Sequence, residues 1–511
     1  MEIRENDALA LWALEKPDDV AYRILESGEC VTWKELELRS RQCAAMLLAR
    51  GLKQGDCIAV FLDNHLRYFE ILWAAQRIGL YYTTISRHLK TNELLYILGD
   101  CGAKALFTSQ GLVSDVGALV QATGNILRFT LGGSLSGFSD YESALATVQT
   151  DVQLAPAIPG TDFSYSSGTT GRPKGIKRPL EHANQHFNAR PGPQNVWKQF
   201  DRNSVFLSTA PFYHTAPVRW NMAVMMQGGS CVMMQKFNEK AALNAIEQYR
   251  VTHSQWVPTM FIRLLRLPLE ERASHDLSSM RYAIHAAAPC PVWVKEQMIA
   301  WWGPILYEFY SGTELVGRTS LNSDEWMAHK GSVGRPEFGA VHIVDESGNE
   351  CGTGERGLVY FSGGPRFEYH NDPDKTREAY NDRGWGTYGD IGYVDEDGYL
   401  YLTDRVANTI ISGGVNIYPQ EAENVILRHP KVQDVAVIGS PNEEFGEEVK
   451  AVVELLDPDD ATAELATEII ALCRADLSAI KCPRSVDFVT DLPRTDAGKL
   501  LKREVKARYW K

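Results

Sequence analysis

The sequence predicts an α/β protein with parallel sheets flanked by helices in its large N-terminal part, a β-rich subdomain next, and a small α+β unit at the C-terminal end. Three observations carry this. Short apolar runs alternate with helical periodicity through the first half, as a parallel sheet with crossover helices requires. After about residue 340 the texture changes to short strands separated by Asp/Gly turns, the pattern of hairpins. Beyond Asp404-Arg405 strands and helices mix again in a unit of its own.

The elements follow in order. Residues 31–35 open an amphipathic helix that runs to Leu48, with Gly51 as its C-terminal punctuation. Residues 56–62 form a run of buried-strand type, 67–77 a helix, and 79–85 and 104–108 two further strands. In the β-rich part the expected strands are 341–344, 357–362, 392–394 and 399–403. In the last unit, 419–429 and 463–477 are expected as helices and 432–439 and 450–456 as strands. The division into 1–404 and 405–511 falls between these textures.

Composition bounds the function. The chain has 511 residues, 44% hydrophobic and 23% charged, a globular balance that excludes collagen, coiled coil and long disorder. Sixty-five acidic against 52 basic residues leave a net charge of −13, which repels phosphodiester backbones; a nucleic-acid partner is not expected. Nine dispersed cysteines without a C-x-x-C pair suit a reducing cytoplasm, and the acidic N-terminus has no apolar stretch of signal-peptide type behind it. The apolar segment from Met222 to Met234 is interrupted by Gln227, Gly228 and Gly229, so stable membrane insertion is not expected.

The strongest local signal is Tyr165-Ser166-Ser167-Gly168-Thr169-Thr170-Gly171-Arg172-Pro173-Lys174-Gly175. Glycines permit close backbone approach, hydroxyls donate to oxyanions and Lys174 adds charge: the inventory of a phosphate-cradling loop, though not of a Walker A loop. Gly352-Thr353-Gly354-Glu355-Arg356-Gly357 also fits G-x-G-x-x-G, but a turn precedes it and a strand follows, so it reads as a hairpin turn and not a dinucleotide site. His182 and His186, four apart, lack a third ligand and read as a solvated helix face.

Four further segments stand in order after that loop: 307–314 (Tyr-Glu-Phe-Tyr-Ser-Gly-Thr-Glu), 388–392 with Asp404-Arg405, 412–419 (Ser-Gly-Gly-Val-Asn-Ile-Tyr-Pro) and 493–499 (Pro-Arg-Thr-Asp-Ala-Gly-Lys). In order and spacing the five resemble those of the adenylate-forming superfamily, which includes acyl-CoA synthetases, luciferases and nonribosomal adenylation domains. The resemblance spans about residues 20–508. It implies an ATP-dependent carboxylate–CoA ligase that forms an acyl-adenylate, releases pyrophosphate and transfers the acyl group to a thiol, with ATP, Mg²⁺ and coenzyme A as cofactors. It further implies that Ser166, Ser167, Gly168, Thr169, Thr170, Gly171 and Lys174 hold phosphates, and that Tyr310 stacks on adenine beside Ala287, Ala288 and Pro289. Thr313 would touch the α-phosphate, Glu314 with Thr169 would hold Mg²⁺, Asp390 with Arg405 would bind ribose, and His214 would gate the carboxylate. Lys499 would bridge carboxylate and α-phosphate on a small mobile C-terminal domain, and the Gly413-Gly414 loop would form the thiol tunnel after rotation.

The chain departs from that pattern at the hinge position Ala407, where relatives usually carry Asp or Lys, at Asn408, where an acid is common, at Tyr388 in place of Thr, and at Val415 in place of Glu. These departures are expected to bear on domain rotation and the thiol step and to leave the phosphate chemistry untouched. The acyl pocket is expected along Pro211-Phe212-Tyr213-His214 and the Trp220, Met222, Met225 and Met226 stretch, each of which reads equally as core. With no Asp or Arg marking a charged acid, and with segments at 286–291, 302–304 and 331–336 similar to a bacterial branch of bile-acid and steroid-side-chain ligases, a small-molecule carboxylic acid of bulky hydrophobic, alicyclic, aryl or fatty kind is expected. The alternative is an adenylating amide synthase or acyl-AMP loader with an amine or carrier acceptor; a binding protein on a decayed scaffold is disfavoured by Lys174, Glu314, Asp390 and Lys499. Homodimers are common in the superfamily, and the residues do not choose an oligomeric state.

Overall fold

The computed structural model describes residues 8–151, 153–155, 157–166, 173–180, 199–495 and 500–510. Among them five sheets form. A nine-stranded sheet has the parallel strands Val20–Ile24, Ser230–Met233, Val205–Ser208, His253–Trp256, Tyr282–His285 and Leu306–Tyr310 at its centre, with antiparallel strands at both edges. A six-stranded sheet is parallel throughout, with Cys57–Phe61 between Tyr81–Thr84 and Ala103–Ser109. All five residues of Cys57–Phe61 are buried, as befits a strand covered on both faces.

Local signals act as expected. The helix Trp33–Ala49 begins where the Thr32 hydroxyl accepts the Glu35 amide at 3.2 Å, and Tyr68–Arg77 follows as the next helix. That second helix lies between the two large sheets. Phe69 and Leu72 share one core with Ile58 and Val60 of one sheet and with Phe206 and Phe212 beside the other. Asn64 pins the junction, donating to Met234 O at 2.7 Å and accepting the Phe212 amide at 2.8 Å. The segment that leads to His214 is thereby fixed against both sheets.

The β-rich part is an antiparallel meander of Ala340–Val344, Gly357–Ser362, Gly386–Val394 and Leu400–Arg405. The third strand starts six residues before the expected 392, so the Tyr388-Gly389-Asp390 segment is strand and its side chains have fixed directions. The G-x-G-x-x-G stretch precedes Gly357–Ser362 as a turn, as its flanks implied. A fifth sheet, built of Ile410–Ser412, Val415–Ile417, Val432–Asn442, Gly446–Leu455 and Ser485–Val489, carries the helices Pro419–Ile426 and Ala463–Asp476 around its own apolar core. Asp404 links this unit to the meander: its carboxylate accepts from Asn408 Nδ2 at 3.0 Å and from the Gln420 amide at 3.1 Å, in the first turn of Pro419–Ile426. Among the described residues no helix is long and apolar enough to cross a membrane.

Candidate active site

The phosphate-loop segment is held by a small sheet. Ser164–Ser166 and Lys174–Lys177 pair antiparallel, with Lys174 opposite Ser166, and Glu368–Tyr369 adds a third strand through Ile176 opposite Tyr369. Ser167, Gly168, Thr169, Thr170 and Gly171 lie outside the described residues, as do Lys499, His182 and His186. Lys174 is described: its Nζ lies 5.0 Å from the centre of the Tyr369 ring. The Tyr369 hydroxyl in turn donates to Glu314 Oε1 at 2.9 Å. Burial first, and then the Glu314 charge, raise the Tyr369 phenol above its ordinary pKa, so it stays protonated and donating.

Glu314 sits on residues 311–317, just past the C-terminal end of Leu306–Tyr310. Leu315 has a φ of +57°, a left-handed conformation that costs energy for a branched side chain and that the surroundings must hold in place. Tyr388 supplies the hold. Its hydroxyl donates to Gly317 O at 2.7 Å and accepts the Gly317 amide at 3.3 Å, and its ring meets Tyr310 edge-on at 5.6 Å. Gly312 fills the remaining gap: a Cβ there would lie 2.4 Å from Tyr388 Cε1 and 2.6 Å from Glu314 Oε2. Tyr388 therefore braces the loop that carries Thr313 and Glu314.

Tyr310 carries the cluster on to Asp390, whose Oδ2 accepts the Tyr310 hydroxyl and whose Oδ1 accepts Arg405 Nε at 3.0 Å. Burial, with the Asp390 charge next, holds the Tyr310 phenol well above its ordinary pKa; the Asp390 charge raises that of Arg405. Ala287, Ala288 and Pro289 follow the strand Tyr282–His285, beside Leu306–Tyr310 in the sheet, and Ala287 adopts a φ of +77°. They sit at the carboxyl ends of parallel strands, where open α/β sheets bind ligands. Thr313 shares the loop of Glu314.

His214 precedes the helix Thr215–Met226, its ring 4.5 Å from that of Tyr213. Thr215 Oγ1 donates to Ser164 Oγ at 2.8 Å, and Ser164 Oγ to Asp162 Oδ2 at 2.7 Å, tying the start of this helix to the phosphate-loop strand. Arg219, on the same helix, holds Asp162 through two bonds at 3.0 and 2.9 Å, and Arg178 adds a third at 3.1 Å. Arg318 pairs with Glu337 at 3.3 Å, its guanidinium 4.4 Å from the Phe309 ring centre. Two arginines thus stand on or beside this helix in ion pairs within the chain, Arg219 with Asp162 and Arg318 with Glu337. Sequence order hid them, because Asp162 lies 57 residues from Arg219. Trp220, Met222 and Met225 belong to the core shared by the two large sheets.

Gly413 and Gly414 form the turn between Ile410–Ser412 and Val415–Ile417, with φ of +57° and +79°, on the C-terminal sheet. The lysines of that unit face acids: Lys431 meets Asp460 at 2.6 Å, Lys450 meets Asp487 at 2.8 Å and Lys502 meets Glu423 at 2.8 Å. Arg494 pairs with Asp434. Among the described residues no group of three or more His, Cys, Asp or Glu is arranged to hold a metal by itself.

The site surface thus has two groups at the sheet ends, Arg405–Asp390–Tyr310–Tyr388 and Glu314–Tyr369–Lys174, with Gly312 between them. Comparison with known proteins gives that surface its context. The AMP-binding enzyme model matches residues 9–366, and that of the AMP-binding enzyme C-terminal domain matches residues 421–499. A feruloyl-CoA synthase of an Amycolatopsis species is 34% identical over 99% of both chains. Among solved structures, ATP-bound MatB from Rhodopseudomonas palustris superposes with a TM-score of 0.82 at 27% identity, covering 99% of each chain. The amide bond synthetase McbA from Marinactinospora thermotolerans gives 0.81 at 26% identity, over 98% of this chain and 99% of its own. This chain belongs to the AMP-binding enzyme family, and within it is an acid–thiol ligase of the acyl-CoA synthetase kind.

Proposed function

We propose that the protein activates a bulky hydrophobic acid, aryl or alicyclic, as its acyl-adenylate and passes the acyl group to coenzyme A. The observation that carries this reading is the placing of Arg405, Asp390, Tyr310 and Tyr388 in one run of contacts and of Glu314, Tyr369 and Lys174 in another, with Gly312 between them, so that a carboxylate suited to ribose, an aromatic face suited to adenine and a lysine suited to phosphate are close together. The aryl class is supported by the relative named for feruloyl-CoA.

In this reading a carboxylate, a poor electrophile, attacks the α-phosphorus of ATP, displaces pyrophosphate and becomes a reactive mixed anhydride, from which the coenzyme A thiol then displaces AMP. The developing charge needs fixed donors and cations. Lys174 and the residue 166–171 loop hold the terminal phosphates, Thr313 meets the α-phosphate and Asp390 receives both ribose hydroxyls. Glu314, an oxygen donor with Oε1 set by Tyr369, fits a hard divalent cation such as Mg²⁺. When bound, Mg²⁺ neutralises phosphate charge with Thr169 as a further ligand. His214 borders the carboxylate. Lys499 crosses between carboxylate and phosphate, then leaves as residues 405–511 turn about Ala407 and bring Gly413-Gly414 in. The Asp404 carboxylate, bonded to Gln420 across that point, is the contact such a turn must rearrange. Nine thiols spread along the chain support a cytoplasmic location.

The test is mass spectrometry of the protein with ATP, Mg²⁺ and a panel of aryl, cyclohexyl, steroid-side-chain and fatty acids, with and without coenzyme A. Acyl-CoA with AMP is expected. Acyl-AMP that accumulates even with coenzyme A present would instead favour an amine or carrier acceptor, the reading to which the McbA likeness lends support.

A further inference from the structure

The helix Thr215–Met226 packs on the strands Val205–Ser208 and Ser230–Met233 through a core of aromatic and aliphatic side chains, and His253–Trp256 adjoins Val205–Ser208 in the same sheet. Within that layer stand the polar residues Ser208, Asn221 and Gln255, with the buried His253 two residues before Gln255 on the same strand face. Ser208 and Gln255 are register partners on the two adjacent parallel strands, which places their side chains on the same face. Asn221 reaches down from the helix, its Nδ2 donating to Ser208 Oγ and to Pro217 O, both at 2.8 Å. Asn221 is fully buried and Gln255 is 7% exposed. Yet Asn221 Oδ1 and Gln255 Oε1 have no hydrogen-bond partner among the described residues.

Two orphaned amide oxygens in one buried layer are unusual, because a buried acceptor that loses water and finds no donor weakens the fold. Their placement gives them a use. Ser208 and Gln255 stand at the carboxyl ends of their strands, and the Gln255 strand adjoins Tyr282–His285, which leads into Ala287, Ala288 and Pro289. Asn221 lies seven residues past His214, roughly 10 Å along the helix and back on nearly the same side. We infer that Ser208, Asn221 and Gln255 form the polar floor of the acyl site and select an acid that carries a hydroxyl group at the end remote from its carboxylate. A hydroxyl both donates and accepts, so it satisfies the amides in either orientation of the side chain. This rests on the acyl-CoA synthetase reading, with Thr215–Met226 as one wall of the acyl site, and narrows its substrate class.

The physics predicts an asymmetry. A purely apolar pocket discriminates weakly against an added hydroxyl, whereas a site built to bond one rejects the analogue that lacks it strongly. The experiment measures kcat/KM for matched pairs: 4-hydroxycinnamic and cinnamic acid, 4-hydroxycyclohexane- and cyclohexanecarboxylic acid, and a bile acid with its deoxy counterpart. The wild-type enzyme is expected to prefer the hydroxylated member of its best pair by about 100-fold or more. Asn221→Leu, close in volume, is expected to cut that preference to below about tenfold, lowering the value for the hydroxy acid and raising that for its partner. The wild-type ratio needs no variant, so a failure of Asn221→Leu to fold leaves the test intact. A wild-type enzyme that forms thioester from both members equally, as it would if an ordered water filled the floor, overturns the inference and leaves the ligase reading standing. An unchanged ratio in folded Asn221→Leu also overturns it. An enzyme that forms neither adenylate nor thioester from any acid of the panel overturns the reading beneath it.

Discussion

The Tyr369 hydroxyl donates to Glu314 Oε1 at 2.9 Å across 55 residues of sequence. The same ring lies beneath Lys174 Nζ. One tyrosine thus sets the distance between the residue proposed to hold the cation and the lysine proposed to hold the phosphates. Tyr369→Phe keeps the ring and frees Glu314. The Mg²⁺ concentration needed for half-maximal ATP–pyrophosphate exchange is expected to rise about fivefold, the worth of one hydrogen bond, with little change in melting temperature. An unaltered Mg²⁺ titration would remove Tyr369 from the site.

Asp390 accepts from both Tyr310 and Arg405. Its loss leaves two donors unpaired and removes the proposed ribose acceptor. Asp390→Ala is expected to weaken ATP binding by about tenfold or more, read by calorimetry, because bonds to a charged group are stronger than neutral ones. Unchanged nucleotide affinity would refute the ribose role.

Tyr388→Phe tests the brace on residues 311–317. The ring against Tyr310 stays and the bonds to Gly317 go. Pyrophosphate exchange is expected to slow about five- to tenfold, and hydrogen exchange at amides 312–317 to quicken. If exchange in the loop is as slow as in the wild type, the brace is elsewhere.

Lys499 is proposed to act only in the first half-reaction. Lys499→Ala is expected to abolish pyrophosphate release from acid and ATP while thioester formation from supplied acyl-AMP and coenzyme A persists. Full adenylation by that variant would sink the assignment.

The Asp162 carboxyl has its pKa held below the ordinary 3.8: burial alone would raise it, and the charges of Arg219 and Arg178 overcome burial. A carboxyl with a depressed folded pKa stabilises the fold fully above its unfolded value, and that stability is lost as pH falls below it. Asp162→Asn, which strands two partly buried guanidiniums, is expected to cost about 3–5 kcal/mol near neutral pH. The gap between the melting temperatures of variant and wild type should be flat above pH 5 and narrow below about pH 3.8. A gap independent of pH down to pH 3 would show that Asp162 is not held by charge.

The sequence by itself determined the α/β class, most element positions and the family. Those follow from local physics: the capping hydroxyl of Thr32, the uninterrupted apolar run of Cys57–Phe61 and the glycine-rich stretch at 165–175 are legible within a few residues. Tyr310, Glu314, Asp390 and Arg405 were legible too, because each stands in a segment of distinctive composition. Tertiary structure alone decided what braces them. Tyr369 and Tyr388 are ordinary strand tyrosines until the small three-stranded sheet and the antiparallel meander bring them against residues 311–317. Likewise Arg219 finds Asp162, and Asn221 finds Ser208, only when a helix settles on a parallel sheet. The reason is physical. Short-range preferences act along the chain, whereas a hydrogen bond between side chains depends on distances in space that only packing and register set.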